Sequence, residues 1–416
     1  MSGQFIKILL LTQYYPPESG SASMKMAELA EFLANEGHHV SVVTGFPNYP
    51  KGKIYDGYKM QRYKKENING VNLIRTPLYM TAERQSFKHR MLNHVSFMLT
   101  AIYGGLLAQK PDLIYYYSPP LFLGFSAWLL KKFYRVPTVV EINDLWPQAP
   151  IALGVIKSKK IIRIAEFFEK FVYRKTDRLF FYSNTMRKEI IKKGVRSDKT
   201  EIHPLWISSE EFSQSSDDVI NRIKTEFNLN GKFIIMYAGY IGMAQGLGVV
   251  IDAAKEIREN QDILFVLIGD GPEKENLVKK TENLKLNNIR FIPFQPKEKI
   301  PAFLSASDVL FAHLEPAPHR LGTIPAKVLA YMSMGKPLIV AARGETEELV
   351  ENAGCGIAIE PKSGSAVAKA VLSIYENNLL REEMGKRGRE QAVKNFDRKI
   401  LLEKLETRLA DIAHGR

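Results

Sequence analysis

"GTIPAKVLAYMSMGKPLIV", residues 322–340, runs through a turn, a helix, a break and a strand. Gly322 and Pro325 stand ahead of an apolar run at helical spacing, and proline suits the start of a helix. Gly335-Lys336-Pro337 ends that run, because proline cannot continue a helix, and the apolar residues beyond it read as a buried strand. Loop, helix and strand in this order form the repeating piece of a parallel sheet covered on both faces. The helix head offers the backbone N–H groups of Gly322, Thr323 and Ile324 to an anion, with Lys327 near the first turn. Lys336 lies past the far end, where a cation suits the helix dipole without any ligand. The stretch has no carboxylate to grip the hydroxyls of a nucleotide's ribose.

The same alternation extends outward. Residues 233–238, 263–268, 289–292, 308–312, 337–340 and 356–359 read as strands, with helices between them, for example at 247–260 and 326–334. Before them, 5–12, 40–44, 112–117, 138–142, 178–182 and 200–203 read as strands, and 23–35 and 121–134 as helices. The expected fold is α/β, two doubly wound domains spanning 1–205 and 206–394, with a helical segment 395–416 returning to the first. The polar run "SSEEFSQSSDD", residues 208–218, reads as the linker. Ligands in such sheets bind at the carboxyl ends of the strands, so the site is expected in a cleft faced by both domains.

The 416 residues carry 58 Lys and Arg against 45 Asp and Glu, a net charge of +13, which favours polyanionic partners. Arg84, Lys88, His89 and Arg90 precede the apolar segment 95–108, and Lys131, Lys132 and Arg135 close an aromatic-rich helix. These charges serve either as solvated helix ends or as a surface that rests on an anionic membrane. No nucleic-acid recognition motif accompanies them. The segments 95–108 and 121–130 are shorter than the roughly 20 residues needed to span a bilayer. Residues 5–12 read as a strand, not a signal peptide, and the single cysteine, Cys355, allows no internal disulfide, which fits a cytoplasmic setting. His38-His39 are adjacent and His313 and His319 flank a Pro-rich loop, so no metal spacing emerges, and no serine elbow or Walker loop is present.

Three further stretches carry chemistry. In "TQYYPPESGSAS", Gly20 precedes a helix, as a plain capped loop or as a backbone approach to an anion. In "EINDLWPQAP", Asp144 follows a strand, where it either orients a hydroxyl or takes a proton, or caps the next turn. "IGDGPEKENL" brings Gly269, Asp270 and Gly271 to a strand end, where a helix start accounts for them without a ligand.

Together with "TGFPNYPKGKIYDGYK", "YYYSPPLFLGFSAWLL", "MYAGYIGMAQGLGVVIDAA" and "IPAKVLAYMSMGKPLI", these stretches resemble the family 4 glycosyltransferases of the two-Rossmann-domain (GT-B) type, nearest the bacterial O-antigen and capsule branch of fucosaminyltransferase-like enzymes. The resemblance spans nearly the whole chain. It implies a nucleotide-sugar donor, in this branch a UDP-N-acetyl sugar, held mainly by the C-terminal domain. It further implies transfer with retention of anomeric configuration, no metal or other cofactor, and front-face displacement in which the donor's phosphate helps deprotonate the acceptor. By position, Gly20 would approach the phosphates, Gly242 would line the donor pocket, Lys327 matches the lysine of a Pro-Ser-Lys motif, and Glu345 falls near the transferred sugar. Asp144 and Glu345 are therefore the catalytic expectations, and Gly20, Gly242, Arg320, Gly322, Thr323, Ile324 and Lys327 the donor-binding ones.

The pattern also departs from the family. Gly322 and Ala330 stand where two glutamates are usual, and Tyr240 and Gln245 where an arginine and a lysine clamp phosphate, leaving Lys327 with Arg320 as the positive charge. Branch members act on undecaprenyl-diphosphate-linked sugars at the inner face of the cytoplasmic membrane. That assigns Lys88, Arg90, Trp128, Lys131, Lys132 and Arg135 to a peripheral membrane and acceptor surface, with Phe133 and Tyr134 at headgroup depth. The alternatives are a soluble GT-B sugar-nucleotide epimerase or hydrolase, and a non-catalytic glycan-binding member.

Overall fold

The computed structural model describes residues 5–81, 87–152, 154–317 and 320–415. The chain forms two compact units. One runs to His203 and takes in the segment from Leu402 onward, and the other is Pro204–Leu401.

The first unit opens with β1 (Lys7–Leu11), α1 (Ser21–Asn35), β2 (His39–Gly45), β3 (Lys64–Ile68), β4 (Val71–Thr76) and α2 (Phe87–Leu107). It continues with β5 (Leu113–Ser118), α3 (Leu123–Tyr134), β6 (Thr138–Ile142), α4 (Gln148–Ala152), α5 (Lys159–Lys175), β7 (Arg178–Phe181), α6 (Asn184–Lys192) and β8 (Thr200–Ile202). Its sheet has the order β3-β4-β2-β1-β5-β6-β7-β8. Only the β3–β4 pair is antiparallel. Leu9, Leu10, Val42, Tyr115, Tyr116 and Val140 are fully buried, as expected of a sheet covered on both faces.

The β3–β4 hairpin escapes the hydrophobic pattern because β3, "KKENI", is a polar edge strand. Its turn is nevertheless written in the sequence. Asn69 and Gly70 both take positive φ, as a two-residue hairpin loop requires.

The second unit contains α7 (Asp217–Glu226), β9 (Phe233–Ala238), α8 (Gly248–Glu256), β10 (Ile263–Ile268), α9 (Lys274–Asn283), β11 (Ile289–Ile292) and α10 (Ile300–Ser305). After these come β12 (Val309–His313), α11 (Ala326–Ser333), β13 (Leu338–Ala341), α12 (Glu345–Ala353), β14 (Gly356–Ile359), α13 (Gly364–Tyr375) and α14 (Asn378–Phe396). The final helix, α15 (Arg398–Ala413), begins in this unit and ends in the first. All six strands are parallel, in the order β11-β10-β9-β12-β13-β14. The strand order reverses between β9 and β12, and such a switch point leaves a crevice at the carboxyl ends.

Residues 208–218 are not a linker. The division falls between His203 and Pro204, and the polar run is bonded to the second unit. The Gln214 amide donates to the Met334 carbonyl at 2.5 Å, and the Ser215 N–H donates to Ser305 Oγ at 3.0 Å. Arg389 Nη1 reaches the carbonyls of Ser209 and Phe212, both at 2.8 Å. These residues look like solvated loop in sequence, but here Gln214 satisfies a carbonyl at the end of α11 and the backbone of Ser209, Phe212 and Ser215 is bonded to side chains of the second unit.

Candidate functional site

The residues of the quoted stretch converge on the carboxyl end of β9. Helix α11 puts Lys327 in its first turn, and its Nζ lies 3.7 Å from the centroid of the Tyr237 ring, a cation–π contact. Gly239, at φ +146°, makes room beside it, since a Cβ there would stand 2.8 Å from Nζ. Among the described residues no carboxylate pairs with Lys327. Burial with no counter-charge pushes its ammonium down to about 7, so the charge is held weakly until an anion arrives.

One turn further along α11, the fully buried Tyr331 clamps the same strand end. Its hydroxyl accepts from the Ala238 N–H at 2.9 Å and donates to the Ala238 carbonyl at 3.2 Å. Tyr237 in turn donates to the Tyr240 carbonyl at 2.7 Å, fixing the start of the next loop.

Beside this cluster lies a cavity of about 690 Å³, lined by Gly239, Tyr240, Gly269, Asp270, Gly271, Phe294 and Ile300 among others. It sits within the second unit, at the ends of β9, β10 and β11. Phe294 and Tyr240 expose their rings, flat apolar faces of the kind on which a planar base stacks. Gly269 is compelled here, because a Cβ would lie 1.9 Å from the Gly239 carbonyl oxygen. A helix start therefore does not suffice as the account of Gly269-Asp270-Gly271, since the turn is also part of the cavity wall.

The turn ahead of α11 is tied to the head of α12. The Glu345 N–H donates to the Leu321 carbonyl at 2.8 Å, and the Thr346 hydroxyl donates to the Thr323 carbonyl at 2.7 Å. Gly322, Thr323, Ile324, Lys327 and Glu345 are thus brought together. One expectation changes, however. The Thr323 N–H is not open to an anion, because it donates to the Arg320 carbonyl at 2.9 Å. Val328 N–H bonds to the Pro325 carbonyl at 2.9 Å, so among the described residues the open donors at this head are the N–H groups of Gly322, Ile324, Ala326 and Lys327. Arg320 itself donates to the Glu315 carbonyl at 3.0 Å. Ala330 is buried in the core of the unit.

Gly242 follows β9, and a Cβ there would meet the ring of the exposed Tyr240 at 2.5 Å, a side chain with room to shift, so packing alone does not demand glycine. Nearby, Gln245 Oε1 and both ring nitrogens of the buried His313 make no well-formed hydrogen bond among the described residues. Burial holds the His313 imidazole below its ordinary value. In sequence Gln245 was noted only as a departure from the family's phosphate clamp, and His313 was weighed only as a metal ligand.

A glycosyl transferases group 1 family model matches residues 219–391, and a glycosyl transferase 4-like domain matches residues 20–206. A putative colanic acid biosynthesis glycosyl transferase, WcaI of Escherichia coli K12, is 30% identical over 393 residues, covering 91% of this chain and 95% of that protein. The chain belongs to the group 1 glycosyltransferases. Its GT-B fold is shared with solved structures. HepE of Anabaena, crystallised in complex with UDP, superposes with a TM-score of 0.71 at 17% identity, covering 98% of this chain and all of that one. An alpha-D-kanosaminyltransferase of Streptomyces kanamyceticus is 25% identical over 62% of this chain and 67% of its own length.

In the first unit of the glycosyltransferase, Gly20 caps α1 at the end of the loop after β1. A Cβ there would make only ordinary contact with the Tyr49 ring, at 3.6 Å, so packing does not demand glycine. Asp144 lies in the exposed loop after β6. Its carboxylate caps nothing, having no bonding partner among the described residues, and the surrounding protein displaces enough water to hold it above the usual range. The buried charge of this unit is elsewhere. Glu141 pairs with Lys25 and accepts from Tyr115. Burial acts to raise Glu141, but Lys25, His203 and the Tyr115 hydrogen bond outweigh it and hold the carboxyl below its ordinary value.

The basic residues assigned to a membrane divide. Lys88, Arg90, Lys132 and Arg135 are exposed. Lys131 is engaged, its ammonium 2.6 Å from Asp177 Oδ1 and 3.2 Å from the Lys175 carbonyl. Trp128 is half-buried beneath Lys132, with Nζ 4.7 Å from its ring, and the Tyr134 hydroxyl is tied to the Gly105 carbonyl at 3.0 Å. Arg84 and His319 lie outside the described residues.

Proposed function

We propose that this glycosyltransferase moves a sugar from a UDP-N-acetyl sugar, with retention of configuration, to a glycan carried on undecaprenyl diphosphate in bacterial surface polysaccharide synthesis. The observation that carries the donor reading is Lys327, buried against Tyr237 without a counter-charge at the end of β9, next to the 690 Å³ cavity. A diphosphate seated there supplies the missing anion, and Tyr240 and Phe294 offer stacking faces for the base. Glu345, held beside the turn ahead of α11, faces the transferred sugar in this reading. In the transfer, the anomeric C–O bond to the diphosphate breaks, the acceptor oxygen bonds to the same face, and its proton passes to the leaving phosphate. Asp144 orients the acceptor hydroxyl. No metal takes part, so the charge that develops on the diphosphate is met by Lys327, the Ala326 and Lys327 N–H groups, and Arg320.

The acceptor and membrane parts rest on the likeness to WcaI and on the exposed Lys88, Arg90, Lys132 and Arg135. The protein would work peripherally at the inner face of the cytoplasmic membrane. Among the described residues no helix is long and apolar enough to cross a membrane.

Thermal unfolding with UDP, GDP and ADP tests the donor reading, since a ligand that binds only the folded state raises its stability. UDP is expected to raise the melting temperature, in the presence of EDTA as in its absence. No shift with any of the three at about millimolar concentration would refute it.

A further inference from the structure

Helices α2, α3 and α5 of the first unit form one contiguous layer. Ser126 of α3 bonds to the Met98 carbonyl of α2 at 2.6 Å, and Gly105 lies against Leu130. On the other flank, Trp128 meets Phe171 of α5 edge-on at 5.2 Å, and Phe122 lies 5.2 Å from Phe168. Helix α5, "KKIIRIAEFFEKFVYRK", is strongly amphipathic, but its apolar residues outnumber those its inner face can use. Ala165, Val172 and Tyr173 point inward, while Ile164 and Phe167 are 68% and 73% exposed, and Ile161 is exposed too. Exposed Arg163, Lys170 and Arg174 run along the adjacent side of the same helix. Helix α2 exposes Leu92, Leu99 and Leu106, one every two turns, and α3 exposes Phe133. Neither α2 nor α3 contains a carboxylate, and of the two glutamates of α5, Glu169 is buried against Lys193.

We infer that this layer is a docking face for an anionic lipid bilayer, with α5 lying in the plane of the headgroups. Ile161, Ile164 and Phe167 enter the acyl boundary, while Arg163, Lys170 and Arg174 meet lipid phosphates. Charge decides the occupant. A protein partner covering so apolar a strip would need its own acidic rim, whereas an anionic membrane supplies both an apolar interior and a negative surface. The inference rests on the membrane-acceptor reading but moves its centre from the end of α3 to α5, where the apolar residues are exposed and the arginines have no part in the donor site.

Co-sedimentation of the full chain with phosphatidylethanolamine vesicles, with and without phosphatidylglycerol, tests it. Binding is expected to require phosphatidylglycerol and to weaken with salt. The double variant Ile164→Glu/Phe167→Glu is expected to lower partitioning by roughly tenfold or more, and Arg163→Glu/Lys170→Glu to do likewise. Both positions of the first pair are surface-exposed, and an unchanged UDP-induced thermal shift identifies variants that remain folded. In the wild type, brominated lipids should quench Trp128, which adjoins Phe171. Equal binding by wild type and both folded variants would overturn the inference, as would absence of wild-type binding or loss only of self-association in light scattering. The vesicles contain no glycan acceptor, so such a result would leave the donor reading standing.

Discussion

A lysine buried without an anion is unfavourable in the free protein and becomes favourable once an anion arrives. Lys327 has that character, and it gives stability and binding opposite pH dependences. With its ammonium pushed down to about 7 from 10.5, the unfolded chain holds a proton between those values that the folded chain lacks. The Lys327 contribution to stability therefore rises with pH across that window, while affinity for a diphosphate, which needs the protonated form, falls. The residue's place at a helix head was legible in sequence. Its burial under Tyr237 was not, because that contact joins residues far apart in the chain. Ala330 gives a second test at this scale. Ala330→Glu places a carboxylate in a buried position, so the ligand-free protein is expected to melt lower, by a few kcal/mol of stability. UDP affinity is expected to rise if the ribose lies where family members hold it, and unchanged affinity in calorimetry would locate the ribose elsewhere.

At the scale of elements, α11 does more than present Lys327. Through Tyr331 it pins the end of β9, so helix and strand hold the cavity wall together. Tyr331→Phe leaves the buried Ala238 N–H without its acceptor, a loss of about 1–3 kcal/mol. The expected result is a lower melting temperature together with weaker UDP binding, and a full-strength UDP response would separate the clamp from the site. In the first unit, Lys25→Met strands the buried Glu141 carboxylate and is expected to cost about 3–5 kcal/mol in denaturant unfolding. That pair was not legible, since Lys25 reads as an ordinary solvent-side residue of α1 and Glu141 sits inside an apolar strand. The strands themselves were legible wherever they are buried on both faces, as with β9 and β10. The polar β3 was missed and the bonded run 208–218 misread, because polarity alone does not distinguish an edge strand or a satisfied loop from a free linker.

For the whole molecule, each unit repeats the doubly wound plan that the quoted stretch announces, and the two family models divide the chain between them. The two doubly wound domains were readable because the alternation recurs along most of the chain, and the GT-B type only through the resemblance carried by the quoted stretches. The site was readable only in part, since backbone turns such as Gly239 with Gly269 act through contacts that no local pattern encodes. The central claim is that the second unit binds a nucleoside diphosphate through Lys327. Calorimetric titration of UDP into the wild type and Lys327→Met at pH 6.5 and 8.5, values about half a unit below and well above the shifted lysine, tests it most directly. The account predicts that wild-type affinity falls between the two pH values, with proton uptake at the higher one, and that Lys327→Met binds roughly tenfold or more weaker with no such uptake. Equal affinity of the two proteins, with the same proton uptake, would contradict it.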